Sequence, residues 1–172
     1  IITFGMAYTF HKAKNDEIGK SLLEEEMIDT AKKILKEAPN KVVLTLDAQC
    51  SPEYADAKPT LCSFAKGGIP ADLMGLDVGP ETIKLYKETL KGAKTVVWNG
   101  LCGVSEFSNY ATGTLEVCKY LKDLTAQGCY TLIGGGDSVA AVSALGYKET
   151  EFSFISTGGG AALTLIEGSP LV

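Results

Sequence analysis

Short apolar, β-branched runs recur at Ile1–Thr3, Val42–Leu46, Thr95–Trp98, Tyr130–Ile133 and Phe152–Ile155. They are near-continuous rather than alternating, which predicts strands buried on both faces of a parallel sheet. Between them, apolar residues return every three or four positions. Ser21 and Glu24 have the spacing of a capping box ahead of a stripe of Met27, Ile28, Ala31, Ile34, Leu35 and Ala38, and Pro39 stops that helix. Pro80 opens a second helix through Lys91. A third is predicted from about Glu106 to Gln127, with Phe107, Tyr110, Thr114, Val117, Leu121 and Leu124 on one face, and two more follow Asp137 and Gly160. Strands alternating with helices imply an α/β fold, a Rossmann-like parallel sheet flanked by helices with right-handed crossovers. The opening "IITFGMAYTF" reads as strand without an initiator methionine, so the expectation is a piece of a longer protein.

Composition narrows the function class. The chain has 172 residues, 45% of them hydrophobic and 22% charged, as in a globular domain of ordinary size. A net charge of −5 argues against a general nucleic-acid binder, and no apolar run has the length of a membrane span. Five scattered cysteines without a C-x-x-C pair point to free thiols in a reducing, cytoplasmic compartment. The single histidine, His11, cannot build a multi-histidine metal site and is expected on a helix, at the surface or partly buried.

Two apolar runs end in triple glycines followed by helix-like sequence: Gly134–Gly136 in "YTLIGGGDSVAAV" and Gly158–Gly160 in "FSFISTGGGAALTLIEG". Glycine inside an element weakens it by about 0.5–1 kcal/mol relative to alanine, so these positions need a reason. In an open parallel sheet, ligands bind beyond the carboxyl ends of the strands. Helix N-termini there offer unpaired N–H groups and partial positive charge, which suit phosphate, and glycine lets an anion approach the backbone. The alternative reading of each loop is a tight turn. Asp137 in the first helical turn fits either helix-end stabilisation or a Mg²⁺ held against a nucleotide. In "KTVVWNGLCGVSEF", Asn99 and Glu106 bracket a glycine-rich loop with Gly100 and Gly103, suited to a ribose or phosphate; a turn plus a helix-start acid explains them equally. Gly75 and Leu76 in "LMGLDVGPET" make an apolar slot for a flat base. No standard fingerprint is present: Val139 and Leu163 break the G-x-G-x-x-G pattern. Gly19-Lys20-Ser21 has Lys14 where a Walker A loop needs its first glycine, and reads instead as a loop and helix cap.

Together and in this order, "GMAYTF", "IGKSL", "MGLDVGPET", "KTVVWNG", "IGGGDS" and "STGGGAAL" resemble the C-terminal, nucleotide-binding domain of phosphoglycerate kinase across essentially the whole chain. The resemblance implies an incomplete C-terminal domain of a two-domain kinase. ATP or ADP with Mg²⁺ sits on this domain, and 3-phosphoglycerate on a basic N-terminal domain that this sequence lacks. It further implies Gly5, Gly75 and Leu76 around the adenine, Asn99, Gly100 and Gly103 near the phosphates and the base-side loop, and Glu106 near the ribose. Gly135 and Gly136 fall in the nucleotide loop, Asp137 at the Mg²⁺–nucleotide position with Ser138 beside it, and Gly158, Gly159 and Gly160 at the helix start that meets the phosphoryl group in flight. A monomer is expected for the family. Departures are Thr3-Phe4 where two glycines are usual, Leu101 for proline, Ser105 for phenylalanine and Phe154 for the hinge histidine; the upstream phosphate-binding lysine and the catalytic arginine lie outside this sequence. A second expectation follows from these: a degenerate kinase-like domain serving as a structural or interaction module within a larger assembly.

Overall fold

In the computed structural model, which describes residues 1–170, Ile1–Thr3 leads directly into a helix, α1 (Phe4–Ala13), instead of forming a strand. Val42–Leu46 is likewise irregular. The two runs meet through the Ile2 N–H, which donates to the Val43 carbonyl at 2.9 Å, but no ladder follows. Their apolar side chains are still used. Ile2, Val42 and Leu44 pack on Phe10 and Ala13 of α1 and on Ala31 of α2 (Ile28–Glu37). The anticipated capping box does not form. The buried Ser21 hydroxyl accepts the Gly75 N–H at 2.9 Å, the Glu24 N–H points to the Thr9 hydroxyl, and a 3₁₀ turn at Glu25–Met27 precedes α2. A buried backbone donor elsewhere in the fold takes the serine, because leaving it unpaired costs more than a local cap contributes.

The chain divides into two units, one of Ile1–Tyr86 with Cys102–Gly113, the other of Lys87–Leu101 with the chain from Thr114 onward. The first is built on an antiparallel sheet of β1 (Asp47–Ser51), β2 (Thr60–Ser63) and β3 (Met74–Val78), in the order β2-β1-β3. A bulge shifts the β1–β3 register between Gln49 and Cys50. Tyr8, Ile18, Ala48, Cys50, Cys62 and Ile69 form its core. Asp47, 1% exposed, caps the start of α3 (Pro80–Leu90): its oxygens accept the N–H groups of Glu81 and Thr82 at 3.0 and 2.9 Å. Asp77 does the same for α4 (Thr112–Ala126) through the Gly113 N–H at 2.9 Å. That helix therefore begins well after Glu106, with a 3₁₀ turn at Ser108–Tyr110 ahead of it.

The second unit carries the parallel sheet anticipated from sequence: β4 (Thr95–Asn99), β5 (Tyr130–Gly134) and β6 (Phe154–Ser156), in that order, with α5 (Gly136–Ala144) after β5 and α6 (Gly159–Glu167) after β6. Burial on both faces does not hold for it. Trp98, Thr131 and Ile133 are buried, whereas Val97, Tyr130 and Phe154 are about half exposed (48%, 50% and 51%).

His11 also departs from expectation, since it is 1% exposed. Its Nδ1 lies 2.7 Å from Asp16 Oδ2 and its Nε2 2.8 Å from Thr45 Oγ1. A carboxylate only accepts, so Nδ1 carries the proton in the neutral ring and Nε2 accepts from the threonine hydroxyl. Burial lowers the pKa, and the Asp16 carboxylate opposes that shift.

Candidate functional site

In the first unit, Gly75 and Leu76 of β3 line a cavity of about 390 Å³ together with Phe4, Tyr8, Lys20, Leu22, Tyr54 and Met74. The volume is in the range of small-molecule sites, and the walls are mainly apolar, which suits the flat group anticipated at Gly75–Leu76. Glycine at position 75 leaves room for the Tyr8 ring, because a Cβ there would lie 2.0 Å from the Tyr8 hydroxyl oxygen and displace it. Gly5 sits one residue from this wall, against Leu22. Phe4 provides part of the wall itself. Its φ of +47° is left-handed, a conformation that side chains other than glycine rarely adopt. The ring is held by two apolar clusters, one around Tyr8 and one of Leu76, Val104 and Tyr110.

The loop with Gly103 and Glu106 lies along the same strand. The Val104 N–H donates to the Leu76 carbonyl at 2.8 Å, and the Phe107 ring meets that of Tyr54, a cavity residue, with centroids 4.9 Å apart. Gly103 is buried and Glu106 exposed. Beneath the loop is Asp77, fully buried. Desolvation raises its pKa to about 7, against the pull of N–H groups from Gly113, Val78 and Thr112.

In the second unit, the turns after β4, β5 and β6 are knitted to one another. Ser138 in α5 is buried, and its hydroxyl accepts the Gly100 N–H at 2.9 Å. The Asn99 amide reaches the Gly159 carbonyl at 3.5 Å, and the Gly135 N–H donates to the Ser156 carbonyl at 3.0 Å. Gly135 has φ +94°, and a Cβ there would fall 2.6 Å from Asn99 Oδ1. Gly159 lies so close to Gly135 that its own Cβ would come within 2.5 Å of the Gly135 backbone. Around this contact Gly136, Asp137, Gly158 and Gly160 are exposed, at the starts of α5 and α6. The N-cap of α5 is Gly135, without a side-chain capping bond, and Asp137 is exposed in the first turn, at the positive end of the helix.

Among the described residues no group of three or more His, Cys, Asp or Glu side chains gathers to hold a metal. Asp137 as a single exposed carboxylate fits an ion that keeps water and takes its other ligands from phosphate, which is the usual protein habit of Mg²⁺. The structure thus groups Gly75 and Leu76 with the Gly103–Glu106 loop in one unit, and Asn99, Gly100, Gly135, Ser138 and Gly159 in the other. Sequence reading missed the cavity residues Tyr8, Lys20, Leu22 and Tyr54. Tyr8 alone had a signal, its position four residues, one helical turn, after Phe4.

The family model described as phosphoglycerate kinase matches residues 1–169. The phosphoglycerate kinases of Oenococcus oeni and of Staphylococcus aureus strain JH9 are each 52% identical to the chain, over 171 and 172 residues. The match covers 99% of this chain and 42% of each relative, so the chain spans about two fifths of their length. Two solved structures are similar in fold. Phosphoglycerate kinase from Coxiella burnetii has a TM-score of 0.88 at 33% identity, covering 97% of this chain and 43% of that one. The enzyme from Pyrococcus horikoshii OT3 has a TM-score of 0.81 at 28% identity, covering 96% and 41%.

Proposed function

We propose that this chain, which belongs to the phosphoglycerate kinase family, is the nucleotide-binding, C-terminal domain of an enzyme that reversibly transfers a phosphoryl group between ATP and the carboxylate of 3-phosphoglycerate. Transfer from ATP gives 1,3-bisphosphoglycerate and ADP, the gluconeogenic direction, and the reverse, glycolytic transfer to ADP gives ATP and 3-phosphoglycerate. The acceptor site belongs to a separate N-terminal domain, and this chain alone binds nucleotide without turning it over. A cytoplasmic location is supported by five cysteines that are all buried as thiols.

The observation that carries the reading is the pair of glycine turns beyond β5 and β6, packed backbone to backbone with helix N-termini exposed beside them. Phosphoryl transfer asks the protein for positioning and charge stabilisation rather than covalent chemistry. Gly158, Gly159 and Gly160 at the start of α6 meet the phosphoryl group with backbone N–H groups and no side chain in the way. Gly135 and Gly136 do the same for the nucleotide's own phosphates, with Asn99 and Gly100 at the neighbouring turn. Asp137 would hold Mg²⁺, which when bound neutralises phosphate charge. Gly75 and Leu76 receive the base, Gly5 backs that wall, Gly103 belongs to the base-side loop, and Glu106 binds the ribose hydroxyls. Ser138 fixes the Gly100 turn.

Titration calorimetry of the chain with ADP in Mg²⁺ tests the proposal. Saturable binding in the micromolar to millimolar range is expected. No heat at millimolar nucleotide would overturn it and leave the domain as a structural module.

A further inference from the structure

Asp77 lies one residue beyond the cavity wall at Leu76, and its carboxylate is enclosed from three sides. Oδ1 accepts the N–H of Val78 at 2.8 Å and Oδ2 that of Gly113 at 2.9 Å. Two glycines close over it from different segments. A Cβ on Gly103 would lie 2.4 Å from Oδ1, and a Cβ on Gly113 would lie 2.4 Å from the same atom. The Gly103 segment is thus seated directly on the carboxyl group, and its next residue, Val104, is bonded to the Leu76 carbonyl. Val104 and Leu76 then share one apolar cluster with Tyr110, against which Phe4 and Phe107 pack.

A buried carboxyl group is costly unless it is hydrogen-bonded. This one satisfies the Gly113 and Val78 donors and has no counter-ion among the groups that shift its titration. An aliphatic residue would serve the core at lower cost. What an aliphatic residue cannot do is fix the Gly113 segment and β3 by directed bonds while leaving room for Gly103 to close on top. We propose that Asp77 is a positioning residue for nucleotide binding: it holds the Gly103–Glu106 loop at one height over β3, and so sets where that loop meets the ligand of the Gly75–Leu76 cavity. This rests on the nucleotide reading of that cavity.

The test compares Asp77→Asn and Asp77→Ala with Ala31→Gly. The last destabilises the same unit at the α1–α2 contact, away from the loop. All are studied at a temperature where circular dichroism shows each fully folded. Amide hydrogen exchange without nucleotide is expected to show lost protection at Val104 and Gly113 in Asp77→Ala, and none lost in Ala31→Gly. ADP affinity is expected to fall roughly tenfold in Asp77→Ala, to fall less in Asp77→Asn, which keeps one acceptor oxygen, and to hold in Ala31→Gly. Unchanged protection at Val104 in Asp77→Ala overturns the proposal whatever the nucleotide does. Lost protection with unchanged ADP affinity overturns it too, because the loop's height would then not matter to the ligand. If the unmodified chain binds no ADP, the functional reading fails, while the exchange data still decide whether Asp77 holds the loop.

Discussion

The imidazole of His11 lies flat on the ring of Phe64, centroids 3.5 Å apart and planes 6° from parallel. Burial holds the ring neutral, against the pull of Asp16 on Nδ1 and of the Thr45 backbone toward the charged form. Its folded pKa lies below the ordinary 6.5. The unfolded chain therefore takes up a proton first as the pH falls, and stability is lost below about pH 6.5. In His11→Gln this acid loss should disappear, giving a urea-unfolding profile whose low-pH decline is shallower than that of the parent.

Asp77 acts in the opposite direction. Its folded pKa is raised to about 7, against about 3.9 for an unfolded aspartate. Between those values the folded state binds a proton that the unfolded state lacks. Stability is thus complete below about pH 4 and declines as the pH rises to about 7, by at most about 1.4 kcal/mol per pH unit. Just below about pH 6.5 the two groups oppose one another. Asp77→Asn should tilt the profile so that stability rises with pH, and His11→Gln should tilt it the other way. Parallel shifts without a change of slope would refute both assignments.

Asp137→Ala should weaken ADP binding more with Mg²⁺ present than with it chelated, because the carboxylate is placed for the ion and not for the base. Calorimetry under both conditions decides. An equal loss would reduce Asp137 to a favourable charge at a helix start. The fold itself should lose only about 0.3–1 kcal/mol, the helix-dipole contribution, because Gly135 and not Asp137 occupies the N-cap position.

Phe4→Gly exchanges a strained backbone for an absent ring. Left-handed geometry at a non-glycine residue costs of order 1–3 kcal/mol, which glycine relieves, but the contacts with the Tyr8 and Leu76 clusters are lost. Because Phe4 lines the cavity, removing it should also widen the base slot and tighten ADP binding by about one to two decades. A lower melting temperature with unchanged or weaker ADP affinity would show that the ring serves only the apolar layer.

The parallel half of the fold was legible because a β-branched run that ends in glycine and passes into helix-like sequence suits little besides a strand feeding a helix. Accordingly β4, β5 and β6 lie where the pattern put them, within a residue or two. The antiparallel sheet was not legible. Its central strand reads Asp-Ala-Gln-Cys-Ser, and it exists because Asp47 and Ser51 are buried among partners that no hydropathy pattern reveals. Conversely, Val42–Leu46 has the composition of a strand but meets the rest of its unit mainly through side chains. The glycine turns were readable locally. Of the cavity only the Gly75–Leu76 edge was readable, since Phe4, Lys20 and Tyr54 reach it from other segments. His11 was misplaced for a similar reason: Asp16 is local, but Thr45 and Phe64, which make its burial tolerable, are remote in sequence.

The abutment of Gly159 on Gly135 lets the backbone at one codon limit what another, far along the chain, may encode. A substituent on Gly159 would fall 2.5 Å from the Gly135 backbone and force β5 and β6 apart at their ends, whereas one on Gly135 would sit on a left-handed backbone, φ +94°, and 2.6 Å from Asn99 Oδ1. For Gly159 a compensating change at Gly135 is not available, because the obstacle is backbone, and Gly135 is held to glycine by its left-handed φ. Random variation of both positions together, followed by selection for folded protein, should therefore return glycine at each independently. Neighbouring Gly136 and Gly160, which face open space, should drift freely under that same selection and become fixed only when nucleotide binding is demanded.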